Sequence, residues 1–487
     1  MRFTTTSNLL LAGGFGLLAL TITTFAQTTN LAAARGNTNA TNLGSDANGN
    51  PLRRNLTTGH VSNYDEAKAT NYTLPDPLKL ANGQPVKDAD TWVKLRRPEI
   101  VKLYEMEIYG RVPANAPKVR WEVASTDTNA LNGTAVQKRL VGHMGELSDG
   151  PAMNVTMYTP AKATGPVPIV LTITFGGGVG GFGRIGGAAR GPAITNAPTQ
   201  TTAAPGGMNA AAGSNALARG RGAFGVRGAG GGGGFGGDPV TDILARGWGY
   251  ATIGYGDIQP DRANAWTNGV IGLTLKPGQT APAPDEWGTI SAWAWGLSRV
   301  VDYFETDKSV DAKQVAIQGH SRLGKTVLWA GAQDQRIAVV FSSCGGEMGT
   351  ALARRDFGET VDDMAQNFPW QFAGNFQIWV GRWNDVPVDS HFLISLMAPR
   401  PLFCNGGTTD QWSDPKGEFL GEVAAGPVYR LLGKKDLGVT ELPPRDTPII
   451  TGDLGWNYHT GGHMATAADW KAFLDFAGKY FKSSARN

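Results

Sequence analysis

Ser321 stands in "VAIQGHSRLGKTVLWAGA" (315–332), between a short apolar run and a segment whose apolar residues recur at helical spacing. At a tight strand-to-helix turn a serine hydroxyl is pushed out over the sheet edge, above a helix N-terminus that favours negative charge. Gly319-His320-Ser321-Arg322-Leu323-Gly324 comes close to the nucleophile-elbow pattern G-x-S-x-G, with the second glycine one place late. The same serine would also serve as an ordinary helix N-cap. A hydroxyl attacks only beside a base, and the base needs an acid to orient it. In this architecture the acid and then the histidine follow the serine along the chain. Three histidines follow Ser321: His391, His459 and His463. His391, in "DSHFLISLMAPRPLF", reads as structural, just before a strand. His463, in the Gly-rich "NYHTGGHMATAADW", precedes the last helix and is expected as the base, with His459 as the alternative. For the acid, Asp410 follows the apolar run "PLFCNGG" at once, and Glu347 in "SSCGGEMG" and Asp414 compete with it.

Elements able to position such a set alternate along the chain. Residues 167–175, 247–256 and 315–320 read as buried strands, as do "IAVVFSSC" and "PLFCNGG". Residues 287–305, 322–332 and 466–481 carry helical apolar spacing. Strands alternating with helices predict an α/β domain with a mostly parallel sheet, whose site forms at the carboxyl ends of the strands.

The bulk composition narrows the function. The chain has 487 residues, 41% hydrophobic and 17% charged, enough to bury a large core. A net charge of +3 gives no support for nucleic-acid binding. No cluster shows metal-ligand spacing and the histidines are scattered, so neither metal nor cofactor is expected. The two cysteines, Cys344 and Cys404, are expected as buried free thiols.

Residues 1–26 read as a secretory signal peptide, with Arg2, an apolar run from Leu9 and small residues near Ala26. No stable membrane insertion is expected, and export to the periplasm or beyond is. Residues 27–62 read as a flexible leader and 63–487 as one catalytic domain, with a monomer as the default. Residues 176–237 are more than a third glycine, with five arginines and no acid. Such a chain gains little by burial and is expected as a disordered insertion.

The nucleophile segment resembles that of the glucuronoyl esterases, carbohydrate esterase family 15, whose signature is G-[CH]-S-R-x-G-K. "RRPEIVKLYEMEIYGRVP" (96–113), "GYGDIQPD" (254–261), "DEWGTISAWAWGLSRVVDYFETD" (285–307), "RRDFGET" (354–360), "HFLISLMAPRPLF" (391–403), "DQWSDPKGEF" (410–419) and "GGHMATAADW" (461–470) resemble bacterial members in the same order. The resemblance spans roughly 64–482 outside the insertion. It implies an α/β-hydrolase fold, a three-layer sandwich, and hydrolysis of esters joining 4-O-methyl-glucuronic acid of xylan to lignin alcohols. It implies Ser321 as nucleophile, His463 as base, Arg322 at the oxyanion, and Lys325, Glu359 and Trp412 on the uronate. Position and chemistry are consistent with these roles. Lys325, four residues on, shares a helix face with Ser321, a guanidinium suits a developing oxyanion, and an indole offers a flat face and one donor to a sugar.

One departure stands out. Many members carry the triad acid, a glutamate, at the position that Cys344 occupies here. A cysteine cannot stabilise an imidazolium as a carboxylate does. Some members place the acid after the next core strand, which favours Asp410 over Glu347. The rival readings are an esterase for acetyl or aryl esters and a catalytically weak carbohydrate-binding homologue.

Overall fold

A computed structural model of the chain describes residues 41–69, 71–146, 150–176 and 239–482. The expected signal peptide and nearly all of the Gly/Arg-rich insertion lie outside the described residues. Part of the expected leader is folded. Strands β1 (Asn42–Ser45) and β2 (Pro51–Arg53) form a two-stranded antiparallel ribbon. Asn55 is buried and its Nδ2 donates to the Asp362 carbonyl at 2.9 Å. Folded structure therefore begins at least twenty residues earlier than the composition of 27–62 indicates. Polar side chains bonded to the domain hold this stretch, a contribution that apolar periodicity does not register.

Among the described residues nine strands form the main sheet: β3 (Val119–Asn129), β4 (Ala135–Met144), β5 (Ala152–Pro160), β6 (Val167–Thr174), β7 (Gly249–Gly254), β8 (Val310–His320), β9 (Val339–Ser343), β10 (Leu402–Gly407) and β11 (Leu454–His459). Their order is β11-β10-β9-β8-β6-β7-β5-β4-β3. The pairs from β11 through β7 are parallel, and β5, β4 and β3 close the other edge antiparallel. The sequence reading placed no strand in 119–160 or at 454–459. Much of β3 is exposed, which blurs its apolar pattern, and Asn457 and Tyr458 break the short run of β11.

Period-two alternation sends residues to two separate cores. Ile169, Leu171, Val315, Ile317 and Val340 face one, while Val170, Ala316, Val339 and Phe341 face the other. On the first face lie α1 (Thr289–Phe304), α2 (Arg322–Gln333), α3 (Ser390–Ser395) and α4 (Pro415–Leu431), through residues such as Trp293, Val327, Phe392 and Phe419. On the second lies α5 (Ala467–Ala477), through Trp470, Phe473 and Leu474. This is the expected three-layer α/β-hydrolase fold. Among the described residues no helix is long and apolar enough to cross a membrane.

Both cysteines are buried free thiols, as expected. Beside Cys404 lies Glu422 of α4, fully buried, whose two oxygens meet, among the described residues, no stronger donor than that thiol. Burial pushes its carboxyl well above the usual range. The folded protein therefore keeps a proton that the unfolded chain loses at about pH 4.3. This stabilisation is complete below that pH and declines as pH rises towards the folded value, by about 1.4 kcal/mol per unit. Glu422→Gln, which cannot ionise, is expected to flatten the fall of Tm between pH 5 and 9. Parallel Tm curves for the two proteins would show that Glu422 does not set the slope.

Candidate active site

Ser321 ends β8 and opens α2 at φ 59° and ψ −127°, a strained conformation for a residue with a Cβ. Its N–H donates to the Ser343 carbonyl at 2.8 Å, and its own carbonyl accepts from Gly324 N–H at 2.7 Å. The displaced glycine of the motif is explained by packing. A Cβ on Gly319 would lie 2.2 Å from the Leu323 carbonyl oxygen, and one on Gly324 would lie 2.9 Å from that of Ser343. The turn needs a glycine wherever two backbones touch, and here the second contact falls at Gly324.

Asp410 and His463 are brought together from the ends of neighbouring strands. His463 Nδ1 lies 2.6 Å from Asp410 Oδ2, with Asp410 buried and the imidazole partly exposed. Their loops are joined by backbone: Thr409 N–H donates to the Gly461 carbonyl at 2.8 Å and Thr408 N–H to that of His459 at 3.0 Å. Ser413 Oγ, 3.2 Å from the same His463 nitrogen, is a second polar neighbour. The His463 ring rests on that of His320, centroids 4.5 Å apart, which sets it beside the Ser321 turn. Burial, then the nearness of His463, His459 and Arg322, holds His320 well below its usual range.

The other candidates are committed elsewhere. His459 is buried, with Nδ1 3.1 Å from Asp469 Oδ2 and Nε2 3.0 Å from the Gly462 carbonyl. Asp469 also closes the capping box with Thr466 that starts α5. His459 thus anchors the loop that carries His463. His391 lies in α3 rather than directly before a strand, its Nε2 2.8 Å from the Pro75 carbonyl. Asp414 caps α4 through Gly417 N–H and takes Arg355 Nε at 2.8 Å. Glu347 is fully buried, and burial, then Asp389 and Glu359, pushes its carboxyl well up. Among the described residues Glu347 Oε1 has no hydrogen-bond partner.

Arg322 pairs through Nη1 with Asp261, and its guanidinium stands over Phe368 at 5.1 Å and Phe175 at 5.8 Å. The Asp261 side chain is buried and also accepts from Trp370 Nε1 at 2.7 Å and Gln371 Nε2 at 2.8 Å. Lys325, Glu359 and Trp412 form one chain. Lys325 Nζ lies 3.6 Å from Glu359 Oε2, and Trp412 Nε1 donates to Glu359 Oε1 at 2.9 Å. Sequence reading gave Asp261 and Ser413 no role. Asp261 sits in the quoted "GYGDIQPD" and Ser413 in "DQWSDP", but only the fold shows what each one touches.

Cys344 follows β9 with φ 46°, its Sγ 3.5 Å from the Met464 carbonyl. Burial pushes its thiol well up. It stands where the strand-end acid is expected, while the carboxylate that reaches His463 comes from the end of β10.

The family described as "Glucuronyl esterase, fungi" matches residues 282–433. A carbohydrate esterase of an unknown prokaryotic organism is 39% identical over 423 residues, covering 87% of this chain and 93% of that protein. A glucuronoyl esterase from Solibacter usitatus is 39% identical with a TM-score of 0.70, covering 85% of this chain and 99% of its own. An esterase from a marine bacterial metagenome, described as a promiscuous member of carbohydrate esterase family 15, is 36% identical with a TM-score of 0.70, covering 86% and 99%. With likeness of this extent along nearly the whole folded part, the chain belongs to the glucuronoyl esterases of carbohydrate esterase family 15.

Proposed function

We propose that the protein is a serine-type carboxylic ester hydrolase that cleaves esters of (4-O-methyl-)glucuronic acid, as in cross-links between lignin and glucuronoxylan. The observation that carries the reading is the 2.6 Å contact between His463 and Asp410 beside the Ser321 turn. Ser321 Oγ attacks the ester carbonyl while His463 Nε2 takes its proton, and Asp410 holds the proton on Nδ1. Negative charge develops on the carbonyl oxygen, and Arg322, fixed in advance by Asp261 and two aromatic faces, meets it without reorganising. The imidazolium then protonates the departing alcohol. Water, deprotonated by the same histidine, releases the uronic acid and restores Ser321.

Lys325, Glu359 and Trp412 hold the uronate hydroxyls. Their mutual bonds keep the donors and acceptor aimed before the sugar arrives. Substrate loss from this chain would appear mainly in KM. Glu359→Ala is expected to raise KM for a benzyl glucuronate ester by at least tenfold, with kcat changed less. It is expected to leave p-nitrophenyl acetate hydrolysis nearly unchanged, since that ester lacks the hydroxyls. The apolar run at 1–26 supports export in a bacterium, and the reading needs no partner chain.

A relative described as promiscuous gives weight to a broader ester range as a second reading. Comparison of kcat/KM for a methyl or benzyl glucuronate with that for p-nitrophenyl acetate decides between them. A clear preference for the uronate is expected, and a clear preference for the acetate overturns the assignment.

A further inference from the structure

Three different donor atoms converge at the ends of three adjacent strands. Cys344 Sγ after β9, a carboxylate oxygen of Asp410 after β10 and a ring nitrogen of His463 after β11 all lie within 4.8 Å of one another. The three residues are separated by 66 and 53 positions, so no local spacing in the sequence announces them. We propose that a thiophilic divalent cation, zinc or cadmium, binds between Cys344, Asp410 and His463 and reversibly switches hydrolysis off.

A thiolate, an imidazole and a carboxylate are the ligand types zinc prefers. In a tetrahedral site their donor atoms stand about 3.5 Å apart, given bond lengths near 2.0–2.3 Å. Atoms as far apart as 4.8 Å close by about 1 Å to reach that spacing, and where Nδ1 is the ligand its 2.6 Å contact with Asp410 Oδ2 opens by about as much. The Cys344 thiol has only weak partners to give up, the Met464 carbonyl at 3.5 Å and Ser343 Oγ at 3.9 Å. Asp410 and Cys344 are buried while the His463 side chain is 39% exposed, so an ion enters from the histidine side and solvent supplies a fourth ligand.

Binding releases the thiol proton and, where Nδ1 is the ligand, moves the imidazole proton to Nε2. Apparent affinity therefore rises with pH. Either ring nitrogen removes the base. Metal on Nε2 occupies the lone pair that would accept the serine proton, and metal on Nδ1 leaves Nε2 protonated. The inhibition, though not the binding, rests on the proposed role of His463.

Cadmium titration of the full chain reads the site directly, through the ultraviolet thiolate-to-metal band. One equivalent is expected to produce the band in the wild type and in Cys404→Ser. Cys344→Ser is expected to lose it, and His463→Gln to weaken binding at least tenfold without touching the thiol. In parallel, the zinc concentration giving half-inhibition of glucuronate ester hydrolysis is expected to rise at least tenfold in Cys344→Ser. Absence of the band in the wild type, or unchanged zinc inhibition in Cys344→Ser, overturns the proposal. A cadmium band in a protein that hydrolyses no uronate ester keeps the site and removes the functional reading. Hydrolysis without a band does the reverse.

Discussion

Ser321→Ala is expected to lower kcat for a benzyl glucuronate ester by about a millionfold, with KM changed only a few-fold. In the proposed cycle the side chain makes the covalent bond in both halves, so nothing nearby replaces it. Folding should survive, because the turn is held by backbone bonds to Ser343 and Gly324 and by the close approach of two glycines. Rates from progress curves and an unchanged Tm would together establish a chemical rather than a structural loss. A variant that retains a tenth of the wild-type rate would remove Ser321 from the reaction.

Asp410→Asn is expected to lower kcat about ten-thousandfold. The amide preserves shape but donates a hydrogen where the carboxylate accepts one. The imidazole then carries its proton on the wrong nitrogen, and the charge on the imidazolium loses its counterion. Ser413 Oγ, 3.2 Å from the same nitrogen, has no charge with which to compensate. Glu347→Gln is the contrasting variant. Burial already pushes the Glu347 carboxyl up, so loss of its charge changes little at neutral pH. Its rate is expected to stay within about threefold of wild type, and the opposite pattern in the two variants would move the acid to Glu347.

Much of the candidate site was legible because its parts obey local rules. A serine between an apolar run and a helical period marks the turn, and a histidine in a Gly-rich loop before the closing helix marks the β11–α5 connection. Asp410 was legible as the first acid after a buried strand. Position in the loop favours His463 over His459, but the bonds that tie one to Asp410 and the other to Asp469 are encoded by no local pattern.

The parallel half of the sheet, apart from β11 at its edge, was read from its continuous apolar runs. The antiparallel β3–β4–β5 edge escaped because one face of an edge strand meets solvent and dilutes the pattern. Asp261, buried under Arg322, was part of a recognised motif without a visible task. An acid whose purpose is to hold a distant cation, 61 positions away, becomes readable only when the fold is known.

In the proposed cycle one serine hydroxyl, activated by His463, carries all of the esterase chemistry. A serine-directed phosphonate followed by peptide mapping, with hydrolysis of a glucuronate ester measured on the same sample, tests it most directly. A single adduct on Ser321 at one equivalent is expected, with hydrolysis lost in proportion to labelling. Full labelling of Ser321 with hydrolysis intact, or loss of hydrolysis with the adduct on another residue, would contradict it.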